Sequence, residues 1–187
     1  TVPLKPSIFN DTDVNAWYYP SLERLVTYSL INGYEDKTFK PENSITRAEF
    51  TKLVVGVAEY TDILVLSDAQ IKFDDVATDD WFNDSVTKAA KAGLVTGSDN
   101  AFNPNAQITR QDAAVILYRL ISTVKTIDGS TSFSDKALIA DYAVNAVESL
   151  ASANIISGMG DGTFAPTQNL TRAQAAKLLY GVLENLS

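Results

Sequence analysis

Ile45-Thr46-Arg47-Ala48-Glu49 occurs three times in this chain, in slightly altered form. It returns as Ile108-Thr109-Arg110-Gln111-Asp112 and as Leu170-Thr171-Arg172-Ala173-Gln174. A Thr followed three residues later by Glu, Gln or Asp, just ahead of an apolar run, marks a helix start. Its hydroxyl accepts from the third helical amide while the longer side chain reaches back to the Thr amide. Glu49 and Gln174 suit that reach; Asp112 is short for it. The arginine takes the first helical position, where unpaired N–H groups already concentrate positive charge. A cation there costs up to about 1 kcal/mol unless an anion faces it. Two readings are open: a ligand anion held by the guanidinium fork and the helix start, or a carboxylate supplied by a neighbouring repeat.

Working outward, the repetition covers nearly the whole chain. Each unit opens on Phe-x-Asp (Phe9 to Asp11, Phe73 to Asp75, Phe133 to Asp135), and an aromatic follows at Trp17, Trp81 or Tyr142. Apolar residues at helical spacing come next, such as Leu22, Leu25 and Val26 in the first unit. These first helices are predicted to run to Asn32-Gly33, Thr96-Gly97 and Ser157-Gly158. There the glycine meets either a left-handed backbone or a close approach. A turn leads to Phe39, Phe102 or Phe164, two residues before Pro41, Pro104 or Pro166. Phe is expected to plug the core, and Pro to fix an extended approach to the second helix.

The second helices carry the strongest stripes: Phe50, Leu53, Val54, Val57 and Ala58, then Ala113, Ile116, Leu117, Leu120 and Ile121, then Ala175, Leu178, Leu179, Val182 and Leu183. Three equivalent apolar faces can bury one another around a pseudo-threefold axis. An open solenoid would want polar capping repeats, which the sequence lacks. The expected fold is therefore all-α: three helix-loop-helix repeats (1–72, 73–132 and 133–187) closed into a trimer-like module around a central three-helix bundle. Of the two connectors, Ile63-Leu64-Val65-Leu66 should pack on the body, while 122–132 should be a surface loop.

Composition removes several functions. Fifteen Lys and Arg against 23 Asp and Glu leave a net charge of −8, which disfavours general nucleic-acid binding. The apolar runs are too short to span a membrane. With neither cysteine nor histidine, disulfides, thiol catalysis, Ser-His machinery and His- or Cys-ligated zinc are out of reach. The start at Thr1-Val2-Pro3 lacks a signal-peptide pattern and suggests a mature or excised piece.

Phe-x-Asp, Trp, Gly-loop-Phe-x-Pro and Ile-Thr-Arg-Ala-Glu, in that order and three times over, closely resemble S-layer homology domains. The resemblance runs from Phe9 to Leu183. It implies a mainly helical pseudo-trimer on the bacterial cell surface that anchors a protein non-covalently to the wall. The implied partner is a secondary cell-wall polymer bearing ketal-linked pyruvate, with no enzyme activity and no cofactor. A pyruvate ketal offers a carboxylate suited to a bidentate arginine. Trp17 and Trp81 are either sugar platforms or core. Asp11, Asp75 and Asp135 either accept sugar hydroxyls or form an Asx-turn or N-cap for their own first helices. By resemblance the sites are grooves between repeats. One is expected to join Arg47, Trp17 and Asp11 to Ser157, Gly158 and Met159. A second would join Arg110, Trp81 and Asp75 to Asn32, Gly33 and Tyr34. The third, with Arg172, Tyr142 and Asp135 facing Gly97 and Ser98, lacks the Trp, has a shorter loop and ranks last.

The rivals are a protein-binding or self-assembly module of a surface layer, a glycan-processing enzyme and a calcium-bound scaffold. No carboxylate pair recurs at a spacing that singles out an acid and a base. The turns at Asp36-Lys37 and Asp161-Gly162 lack the alternating ligands and distal Glu of a calcium loop, so no metal site is expected.

Overall fold

Each apolar stripe read from the sequence lies on a helix. The computed structural model describes residues 7–186. It contains α1 (Tyr19–Thr27), α2 (Arg47–Tyr60), α3 (Asn83–Lys91), α4 (Arg110–Ser122), a 3₁₀ turn (Lys136–Leu138), α5 (Asp141–Ser152) and α6 (Arg172–Leu186). Among the described residues there is no strand, only isolated β-bridges. The fold is helical, as expected.

The second helices α2, α4 and α6 each touch the other two. The first helices pack on the preceding unit: α3 on α2, α5 on α4, and α1 back on α6. That last contact excludes an open solenoid, in which the first and last units would not meet. Main-chain bonds tell the same story. Ile45 N–H donates to Leu170 O (2.9 Å), Leu170 N–H to Ile108 O (2.9 Å) and Ile108 N–H to Ile45 O (3.1 Å). This closed triangle, with Ile45, Ile108 and Leu170 fully buried, fits a pseudo-threefold arrangement.

Local chemistry explains where the helices begin and end. The capping box is complete at Thr46 and Glu49, and Gln174 makes both bonds with Thr171. At Thr109 only half of it forms: Asp112 N–H donates to the Thr109 hydroxyl, and that hydroxyl donates to Asp112 Oδ2 at 2.6 Å. The first helices stop earlier than predicted, at Thr27, Lys91 and Ser152. Ser29, Gly93 and Asn154 have φ of 58°, 72° and 57°. Around each, paired bonds such as Leu30 N–H to Leu25 O and Ser29 N–H to Val26 O close a Schellman motif. Gly33, Gly97 and Gly158 meet the other demand foreseen for them, close approach to a neighbouring carbonyl.

The two phenylalanines of each unit pack together, with ring centroids 5.7 Å apart for Phe9 and Phe39, 5.5 Å for Phe73 and Phe102, and 5.4 Å for Phe133 and Phe164. The connector patch divides: Ile63 and Leu64 pack on the core, whereas Val65 and Leu66 face solvent. Gly33 tests the close approach directly. A Cβ there would press on the Phe9 ring and come within 2.6 Å of Thr38 O. Gly33→Ala is expected to lose about 1–3 kcal/mol of stability, measured by urea denaturation.

Candidate functional site

The arginine of each unit reaches into the loop of the following one. Arg47 Nε donates to Phe102 O (3.0 Å), Arg110 Nε to Phe164 O (2.8 Å) and Arg172 Nε to Phe39 O (2.7 Å). Arg47 Nη2 also donates to Thr96 O (3.4 Å), and Arg110 Nη2 to Ser157 O (3.0 Å). The guanidinium carbons lie 4.9, 4.9 and 5.0 Å from the Phe102, Phe164 and Phe39 ring centroids. Main-chain donors follow the same path: Arg47 N–H goes to Ala106 O and Ala48 N–H to Pro104 O, with equivalents at Arg110, Gln111, Arg172 and Ala173. The helix start is therefore already occupied by carbonyls of the next unit. Among the described residues no carboxylate pairs with the Arg47 or Arg110 guanidinium, whereas Glu49 Oε1 lies 3.6 Å from Arg172 Nη1.

Burial pulls the Arg47 and Arg110 pKa values below the usual arginine range, opposed by Asp112 for Arg47 and by Asp135 for Arg110. Arg110 is 6 % exposed and Arg172 9 %, so both are costly cations to bury. Carbonyl dipoles offset the charge of Arg110 only in part, while Arg172 also has Glu49 Oε1 3.6 Å from Nη1.

Each arginine borders an open cleft. The first cleft (490 Å³) holds Arg172, Trp81, Lys52, Glu49 and the loop Asn32-Gly33-Tyr34. In the second (610 Å³), Arg47 meets Tyr142, Asp112 and the loop Thr96-Gly97-Ser98. The third (490 Å³) holds Arg110, Trp17, Gln174, Lys177 and the loop Ser157-Gly158-Met159. The expected pairing of each aromatic with the glycine loop of the preceding unit matches these linings. The expected arginines do not: all three are displaced by one unit. Arg47 faces Gly97 and Ser98 rather than Ser157, Arg110 faces Ser157 rather than Asn32, and Arg172 faces Tyr34 rather than Gly97. The reason is the direction of threading. A helix start leans forward onto the next unit, whereas the first helix leans back onto the previous one, so every cleft draws on all three units.

The aspartates do something else. Asp11 accepts from Phe39 and Lys40 N–H (both 2.7 Å), Asp75 from Phe102 (2.8 Å) and Asn103 (2.7 Å), and Asp135 from Phe164 and Ala165 (both 2.8 Å). Lys40, Asn103 and Ala165 have φ of 57°, 59° and 56°, so each carboxylate clamps a left-handed kink in the loop of its own unit. The three line none of the arginine clefts and cap no first helix. Asp36 and Asp161 accept from the main chain and hydroxyl of Thr38 and Thr163, which makes them local turns.

The aromatics lie outside the core. Trp17 and Trp81 are each 58 % exposed and Tyr142 63 %. Their neighbours Tyr18 and Phe82 are the ones buried, meeting the tryptophans edge-on at 5.5 and 5.2 Å. Tyr142 donates to Asp112 Oδ1 at 2.7 Å. Burial, followed by this bond to an anion, pushes its pKa up to about 12.

The S-layer homology domain profile matches residues 8–51, 72–114 and 132–176. The chain belongs to the S-layer homology family. It is 34 % identical to an amylopullulanase of Thermoanaerobacterium thermosulfurigenes, over 94 % of this chain and 9 % of that protein. The exoglucanase XynX of Acetivibrio thermocellus is also 34 % identical, over 97 % of this chain and 17 % of its own length. The S-layer protein sap of Bacillus anthracis is 26 % identical, over 91 % of this chain and 20 % of its own. The chain thus spans less than a fifth of the first two relatives. Family and surface-layer relatives place it at the cell surface or in the cell wall, and support a wall-anchoring role. Among the described residues no helix is long and apolar enough to cross a membrane.

Several residues of these S-layer homology clefts escape a reading of the sequence. Glu49, Asp112 and Gln174 register there only as caps, though each stands two places after an arginine. Lys52 and Lys177, five places after theirs, share one register of the second helix and line two of the clefts. The aspartate clamps carry a pH signature. Desolvation raises the Asp75 pKa, but the Phe102 and Asn103 N–H groups outweigh it and hold the carboxyl below its ordinary value. A depressed folded-state pKa contributes stability that is complete above the unfolded value, near 4, and is lost as the pH falls through the folded one. Asp75→Asn should therefore cost about 1 kcal/mol at neutral pH, a figure reduced by solvent screening at this exposed group. The difference from wild type should close below about pH 4, as followed by urea denaturation at both pH values.

Proposed function

We propose that this chain is a non-covalent wall anchor. Its clefts hold pyruvylated (ketal) amino-sugar units of a secondary cell-wall polymer. The observation that carries this reading is the pairing, in one open cleft, of the buried Arg110 guanidinium with the exposed face of Trp17. A buried cation lacking a full counter-charge favours an incoming carboxylate. An exposed indole beside it offers a sugar ring an apolar wall. The acidic total is no obstacle, because charges beyond about 8 Å are largely screened at physiological ionic strength. The units 1–72, 73–132 and 133–187 act as one module in this reading, since no cleft is complete within a unit. The chain works as a binder rather than a catalyst, and the enzymes among its relatives share only a small part of their length with it.

Arg110 also holds a loop, so replacing it mixes binding with folding; Trp17 is the cleaner probe. Trp17→Ala should weaken binding to purified wall polymer roughly tenfold while leaving helicity unchanged by circular dichroism. Removing the pyruvate from the polymer should abolish wild-type binding, and protease treatment of the wall should not. Undiminished binding to depyruvylated polymer, or loss of binding on proteolysis, would instead indicate a protein-binding or self-assembly module.

A further inference from the structure

The clefts differ in charge at one shared position, occupied by Glu49, Asp112 or Gln174. We propose that the residue two places after each arginine decides whether its neighbouring cleft accepts an anionic sugar, and that Gln174 makes the Arg110 cleft the carboxylate-binding one. This rests on the anchoring reading above and specifies where on the chain it operates.

In the Arg172 cleft, Glu49 Oε1 stands 3.6 Å from Arg172 Nη1 while Oε2 accepts from Thr46 N–H. The chain's own carboxylate faces the guanidinium edge that a ligand would need. Glu59 and Asp84 line the same cleft, and both are paired with Lys88 at 2.7 Å. In the Arg47 cleft, Asp112 takes the equivalent position, and the Tyr142 hydroxyl is tied to it. The lining of the Arg110 cleft has no carboxylate. Gln174 replaces Glu and Asp there, its amide oxygen occupied by Thr171 N–H. Lys177 adds a second cation, and among the described residues no ion pair engages it. Trp17 on one side and Met159 on the other, 58 % and 42 % exposed, provide the apolar walls. An incoming carboxylate thus meets two cations and no carboxylate here, whereas the Arg172 cleft sets Glu49 beside its own two cations, Arg172 and Lys52. In the other two clefts it meets a fixed like charge beside the arginine, which opposes its approach.

Glu at position 174 also completes a capping box, as Glu49 does in the first unit, so Gln174→Glu should fold as well as wild type. With two tryptophans in the chain, one in each of two clefts, their indole N–H signals report occupancy separately. The whole chain is titrated with an N-acetylmannosamine fragment carrying a 4,6-pyruvate ketal. In the wild type, the Trp17 signal should shift at the lowest fragment concentration. Gln174→Glu should weaken that site about tenfold or more without lowering the melting temperature. Glu49→Gln should make the Trp81 signal respond at a concentration at least about tenfold below that needed in wild type. A wild-type Trp81 response at lower concentration than Trp17, or unchanged affinity in Gln174→Glu, would overturn the assignment of cleft while leaving the anchoring reading intact. A wild type that binds neither fragment nor pyruvylated polymer would overturn both.

Discussion

The reach of each arginine into the next unit's Phe-x-Pro loop is the contact on which the rest of the molecule depends. Side chain and main chain act together there. Nε takes the carbonyl of the core phenylalanine, and the first two helical N–H groups take carbonyls further along the same loop. A helix start has four unsatisfied donors, and in water they would contribute little. Handing two of them to the following unit makes each helix start a joint between units. Three such joints close a ring, with α1 packed against α6. The repeats need one another for their hydrogen bonds as much as for their apolar burial.

That joint fixes the composition of the clefts. The arginine comes from the unit behind the loop and the aromatic from the unit ahead of it, with the loop between them. No single unit, and no adjacent pair, holds a complete set. The aromatics can stay exposed because the residue after each of the tryptophans, Tyr18 or Phe82, does the core packing. The aspartates secure the third component. By accepting two successive N–H groups they hold the loop in its left-handed kink, where its phenylalanine can fill the core and its carbonyl can meet the arginine.

The position two places after the arginine serves two purposes at once, and the units resolve them differently. Glu49 caps its helix fully and also neutralises Arg172. Asp112 is a methylene too short to return to the Thr109 amide, and one of its oxygens binds Tyr142 instead. Gln174 caps without adding charge. One local choice of side chain, made at a helix start, thereby adds or withholds a negative charge in a cleft whose other walls are distant in sequence.

The sequence by itself determined the elements and their number. Period-3.6 apolar stripes, a Thr-x-x-Glu type start and Phe-x-Pro landmarks depend on neighbours a few residues apart, and such patterns survive without knowledge of the fold. They also identified the family, and the grouping of each aromatic with its glycine loop came with it. Only the tertiary structure decided which arginine enters which cleft. The cap motif says that a helix begins but not which way it leans, and a forward lean moves Arg47, Arg110 and Arg172 each by one unit. The role of Asp11, Asp75 and Asp135 was hidden for a related reason: their acceptor geometry is completed by amides 27 to 30 residues away. A carboxylate's charge can be read from its letter, but what it holds depends on which donors folding brings within reach.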